Sequence, residues 1–210
     1  MGWWLLAVGA VVGFVLGRAE AHITDYIRKR RIRKAIVVEL ERMRAQCIAV
    51  RWTIAETKNE RNTDIAGLMV GVLEGATEVP VTRERITEAM LDQMRRMANS
   101  QDACKAANRE EPPGGIIAPA PLFDEVFRSH LDVLGMFTRP HARALLDAYA
   151  AAPGMNRIAS DLQDYSVSRA TMDPDRIVEA DLVHAANQDF YEITLDDQII
   201  RVDHALTKLE

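Results

Sequence analysis

The sequence predicts an all-α protein, with an N-terminal transmembrane helix followed by a long connecting helix and a helical bundle. Three observations carry that expectation. Only 6% of the residues are aromatic, and period-two runs of Val, Ile and Thr are absent, which disfavours sheets. Apolar residues instead recur in steps of three and four along most of the chain. Finally, residues 2–17, GWWLLAVGAVVGFVLG, hold no charged side chain and are followed at once by a basic flank.

The first element is the anchor, residues 1–19. As helix its apolar stretch spans about 24 Å, short of a hydrocarbon core of about 30 Å. Ala19, Ala21 and a snorkelling Arg18, or local thinning of the bilayer, make up the difference. Trp3 and Trp4 stand where an interfacial aromatic belt is expected. A cleaved signal peptide competes, because Ala19-Glu20-Ala21 resembles a cleavage site; the lack of a basic region before the apolar stretch argues against it. A buried core helix is the third reading. Gly9, Gly13 and Gly17 recur every four residues and form a face on which a second membrane helix can pack closely.

Residues 20–58 are expected to form the basic juxtamembrane and connecting helix. Arg28, Lys29, Arg30, Arg31, Arg33 and Lys34 form a charge run that places this side of the membrane in the cytoplasm, with the N-terminus outside. The same run is a candidate contact for anionic lipid, at about 1 kcal/mol per charge near the surface. Beyond it, Ile36, Leu40, Met43, Cys47, Val50 and Ile54 alternate steps of four and three. This stripe is either a coiled-coil seam between copies of the chain or one apolar face of a bundle. Its length, about two and a half heptads, favours the bundle.

Residues 59–110 form a helical segment whose stretch IAGLMVGVL (65–73) is too short to cross a bilayer. Gly67, Gly71 and Gly75 suggest a closely packed helix or a buried loop. Val79-Pro80-Val81 ends it, and Thr82 opens a helix carrying Ile86, Met90, Met94 and Met97 to about Asn108. Residues 111–121, EPPGGIIAPAP, form a Pro/Gly linker. Residues 122–210 form the helical bundle. One helix runs from Phe123 to Phe137, Pro140 lies near the start of the next, Pro153-Gly154 interrupts it, and Asp173-Pro174 caps the last.

The phrases Val38-Glu39-Leu40, Phe123 through Gly135, Ala144 to Tyr149 with Asn156 to Ile158, and Ala205 to Glu210 resemble a group of uncharacterised bacterial single-pass membrane-anchored helical proteins. The likeness spans most of the chain outside residues 57–120; Arg44 stands where such proteins often place a polar amide. The resemblance implies membrane tethering and a helical bundle, and no activity.

No motif supports catalysis, a metal or a cofactor. The histidines at 22, 130, 141, 184 and 204 show no HExxH spacing. His184 with Asp181 and Gln188, and His204 with Asp203, are conceivable clusters on a helix face, more simply read as solvated helix residues. Ser129 lacks a GxSxG context and Gly114-Gly115 lacks the lysine of a phosphate loop. Cys47 and Cys104 have no metal or disulfide spacing and read as core residues. Outside the basic run the chain is markedly acidic, which argues against nucleic acid as a partner. The expected function is therefore non-enzymatic: a membrane-tethered, self-associating interaction or scaffold protein in the inner membrane. An accessory or sensor subunit of a larger membrane complex is the alternative, and a membrane-anchored hydrolase the remotest.

Overall fold

The computed structural model describes residues 3–77, 88–109, 119–122 and 124–209, with all their side chains except those of 3–17, 19, 21, 76, 77, 132 and 133. No strand occurs among the described residues. The chain is an all-α bundle. Among the described residues its α-helices are α1 (Trp3–Thr57), α2 (Thr63–Thr77), α3 (Glu88–Asn99), α4 (Gln101–Ala107), α5 (Glu125–Ser129), α6 (Arg139–Ala150), α7 (Ala152–Ser168) and α8 (Pro174–Leu209). Val79-Pro80-Val81, Thr82, Glu110-Glu111, linker residues 111–118 with Gly114-Gly115, and Phe123 lie outside the described residues.

Two long helices make the frame. No proline precedes Pro80, so nothing in the sequence breaks α1 over its 55 residues. It ends in a Schellman turn, in which Glu60 N–H donates to Ala55 O at 2.8 Å and Asn59 N–H to Glu56 O at 3.3 Å. Asn59 takes the left-handed conformation this turn needs, at φ 55°. The last helix, α8, starts on Asp173, whose carboxylate accepts the Asp175 N–H at 3.1 Å, with Pro174 as its first residue. It runs antiparallel to α1. Arg33 donates to the Leu209 carbonyl at one end, and Lys58 bonds Asp189 (2.7 Å) and Glu192 (2.8 Å) at the other.

The main core lies between α1, α8, α6 and α7. Ile36, Leu40, Met43, Cys47 and Ile54 are fully buried there with Leu145, Met155, Leu162, Tyr191, Leu195 and Val202. Val50 packs half-buried against the same cluster. Of the two readings of this stripe, a seam between copies or one apolar face of a bundle, its burial is that of a bundle face: α8, with its own four-three spacing, fills it from inside. Those side chains are not available to a second copy while the fold holds.

A second, smaller core sits at the far end of α1. Trp52 and Ala55 pack there with Ile65, Ala66 and Leu73 of α2, Leu91, Met94 and Met97 of α3, and Cys104 of α4. The helix expected to run unbroken to Asn108 divides here, because Ser100 leaves the helical conformation and caps α4 by accepting the Ala103 N–H. The 65–73 stretch is helical, within α2, but its glycines are not a close-packing face. Gly67, Gly71 and Gly75 point outward, and an added Cβ at any of them meets nothing within 4 Å. The expected helix from Phe123 to Phe137 also divides, into α5 and a 3₁₀ turn over Leu131–Met136, because His130 takes a non-helical conformation (φ −131°, ψ 30°).

Candidate functional site

The sequence marks the glycine face, the basic run and the Ile36–Ile54 stripe, and sets the histidine clusters aside as solvated helix residues. Gly9, Gly13 and Gly17 lie on α1, and their side-chain environment is outside the described residues. Among the described residues, no helix is long and apolar enough to cross a membrane.

The basic run lies where α1 leaves the bundle. Ile32 is the first buried residue among the described side chains of α1; from Arg18 to Arg31 every described side chain is exposed, including Ile23, Tyr26 and Ile27. This stretch is a stalk, supported locally by an Asp25–Lys29 pair at 2.7 Å. The cations do not act alike. Arg33 is spent on the last carbonyl of α8, where a cation also meets the negative end of the helix dipole. Arg28 and Arg31 line a cavity of about 370 Å³ with Ile27 and His130, and Arg31 and Lys34 line another of about 490 Å³ with Val38, Arg42 and Glu125.

Glu39 borders that second cavity and is the main site residue that sequence reasoning missed as such. It is a buried carboxylate. One oxygen accepts the Val126 N–H at 2.6 Å; the other accepts the Phe127 N–H at 3.0 Å and the Tyr149 hydroxyl at 2.7 Å. A carboxylate at the first N–H groups of α5 is both a cap and a dipole partner. The rings of Phe127 and Tyr149 stack above it, 4.0 Å apart and nearly parallel. Burial, and then the Glu39 carboxylate, raise the Tyr149 hydroxyl far above its ordinary range, so it donates at any working pH. Asn156 holds Leu122 through both backbone groups, and Gln46 holds the carbonyls of Ala120 and Pro121. The phrases at 38–40, 123–135, 144–149 and 156–158 thus converge on one structural role, which is to fasten the segment before and through α5 onto the bundle. Arg44, the residue out of pattern, pairs with Asp203 on α8. That pairing occupies the carboxylate of the conceivable His204–Asp203 cluster, more simply read as solvated helix residues.

His184 also lies in a concave polar setting. A cavity of about 420 Å³ between α7 and α8 is lined by Asp161, Tyr165, Met172, Arg176, Glu179 and His184, among others. The imidazole stacks on Tyr165 with centroids 4.2 Å apart. Its pKa is lowered, first by desolvation and further by Arg169, against the opposing pull of Asp181. Asp181 is not available as a base: Arg169 forks onto both its oxygens at 3.0 and 3.2 Å, and Tyr165 donates to it. No Ser, Thr or Cys is among the lining residues. The arrangement can bind a small polar molecule; it does not assemble a nucleophile and base.

Among the described residues no group of three His, Cys, Asp or Glu side chains could hold a metal ion. Burial pushes the Cys47 thiol up to about 12 and raises that of Cys104. Both are core thiols rather than reactive ones. No family model, curated protein or solved structure matches the chain.

Proposed function

We propose that the chain is a membrane-tethered, self-associating helical scaffold. In this reading residues 2–17 span the inner membrane with the N-terminus outside, and the bundle stands on the cytoplasmic side. The observation that carries it is the continuity of α1. One helix joins the uncharged stretch to an exposed basic stalk and then to the centre of the main core, so an anchor and the bundle would be mechanically one piece. A 16-residue stretch without a charge, opening a helix that soon becomes fully exposed, is otherwise wasted apolar surface.

The stalk refines the role of the basic run. With α1 upright, Arg28 to Lys34 stand roughly 17–26 Å beyond Gly17 at 1.5 Å per residue. The headgroup layer is only about 5–8 Å thick per side, and screening acts over about 8–10 Å. The run therefore serves orientation first, and touches anionic lipid only where α1 leans. Within the bilayer, Gly9, Gly13 and Gly17 offer the face for a second copy, and Gly13→Ile is expected to weaken that association.

The test is fractionation and topology of the full chain. Carbonate-resistant membrane association, lost on deletion of residues 2–17, and a reporter after Glu210 that reads cytoplasmic are expected. A mature chain beginning at His22, or a reporter that reads external, overturns the reading. The cavity beside His184 favours a second reading, an accessory or sensor subunit whose bundle answers a small polar ligand. Such a subunit would lose stability without its partner, whereas a scaffold would not.

A further inference from the structure

Residues 174–188 of α8 reach past the end of α1, because Lys58, the residue after that helix, stands level with Asp189 and Glu192. The overhang is roughly 22 Å long. From Tyr191 onward the inward face of α8 is packed core, with Leu195, Gln198 and Val202. Ala180, His184 and Asn187 continue that face in steps of three and four, but no turn of α1 remains to cover them. What α1 leaves open is the cavity of about 420 Å³ against α7, a size typical of small-molecule sites.

The walls of this groove hold charges of both signs. Asp161 comes from α7, and Arg176 and Glu179 from the first turns of α8. Among the described residues none of the three makes an ion pair or a side-chain hydrogen bond. The neighbouring Asp181, by contrast, is closed off by Arg169. Water can solvate the three exposed charges. It does not reach His184 Nδ1, which is buried and bonds to nothing. A half-turn of the ring keeps the stack on Tyr165 and carries that nitrogen to the opposite edge, where it can meet a ligand. Met172 and Val183 supply an apolar wall beside the charges.

We propose that the groove binds a free α-amino acid with an apolar side chain. A cation alone would be opposed by Arg176, and an anion alone would meet two carboxylates. A zwitterion answers both signs at once. Asp161 and Glu179 hold its ammonium, Arg176 forks onto its carboxylate, and Met172 and Val183 take its side chain. This rests on the sensor reading and names the ligand class that such a subunit would answer.

The test is titration calorimetry of the full-length protein in detergent, with L-phenylalanine as the probe. A Kd below about 1 mM is expected. Phenethylamine, which lacks the carboxylate, and 3-phenylpropionate, which lacks the ammonium, are expected to bind at least about tenfold more weakly. Arg176→Gln should erase the advantage of phenylalanine over phenethylamine. Asp161→Asn with Glu179→Gln should erase its advantage over 3-phenylpropionate. Helicity by circular dichroism should be unchanged in both, since all three residues are exposed. The comparison of analogues uses the unmodified chain, so it decides even if a variant unfolds. No binding of phenylalanine at about 10 mM, or analogues that bind as tightly, or folded variants that bind as the parent does, overturns the assignment. The sensor reading stands or falls separately, on the stability of the chain without its partner.

Discussion

Where α1 meets α8, Leu40, Met43 and Cys47 lie in a long antiparallel seam, closed at one end by Arg33 on Leu209 and at the other by Lys58 on Asp189 and Glu192. Where the same helix meets α2, α3 and α4, only Trp52 and Ala55 contribute to the core, and the surrounding residues include Met94, Met97 and Cys104. The first region is held by two long helices, tied along their length by ion pairs and buried side-chain bonds to backbone. The second is a cap of short helices with pliable methionines, fastened chiefly at its rim, where Arg61 donates to the Ala107 carbonyl and Asn108 bonds the Arg61 backbone at both groups. The difference teaches that one helix can serve two stabilities. The cap is expected to open locally while the bundle stays closed.

Trp52→Ala is the strongest way to break that comparison. It should cost about 3–5 kcal/mol. Hydrogen exchange should show protection lost through α2–α4 and kept in α6–α8; equal loss in both regions would mean a single cooperative unit. Glu39→Gln should cost about 2–3 kcal/mol, since it sets an amide N–H against the donors of residues 126, 127 and 149. Here the loss belongs to the bundle, and the amides of Val126 and Phe127 should exchange first. If they exchange no faster, the carboxylate is not what holds α5. In the cap the opposite sign is expected. Gly71→Ala should stabilise by about 1 kcal/mol, because the site is helical and open. A lower Tm for that variant would mean that something covers the glycine face of α2.

The smallest expected effect is on pH dependence, and it belongs to the bundle. The folded-state pKa of His184 is lowered below its ordinary 6.5, so the folded form binds the proton less well than the unfolded one. Its contribution to stability is present above about 6.5 and is lost as pH falls through the folded value. Urea titrations at pH 7.5 and 5.5 should therefore show a stability difference that shrinks in His184→Phe. An unchanged difference would assign the pH dependence to other groups.

Much of the helical frame was legible from periodicity. The stripe from Ile36 to Ile54 and the one from Leu195 to Leu209 both announce themselves by four-three spacing. That they face each other does not, because an antiparallel hairpin within a chain and a pairing between chains require the same pattern. Glu39 was hidden for a related reason. Two of its three partners are backbone groups, 87 and 88 residues away, and backbone donors leave no trace in a sequence; the third, the Tyr149 hydroxyl, is 110 residues away. Gln198 is similar: it sits in the α8 stripe, fully buried, and donates to the Ala148 carbonyl at 2.5 Å. The glycines of α2 misled in the other direction, since spacing puts them on one face without saying which way that face turns.

An unbroken α1 also fixes height and bearing together. Each residue added to the stalk between Arg18 and Arg31 lifts the bundle by about 1.5 Å and swings it by about 100°. Seven inserted residues return it nearly to its first bearing, some 10 Å higher, whereas two turn it about half-way round and raise it only about 3 Å. A rotation imposed at the N-terminal end of α1 would arrive at the outer face of α8 undiminished, as through a rigid shaft, because the helix has no hinge in which to lose it. Insertions of two and of seven residues therefore probe orientation and distance separately, on a single element.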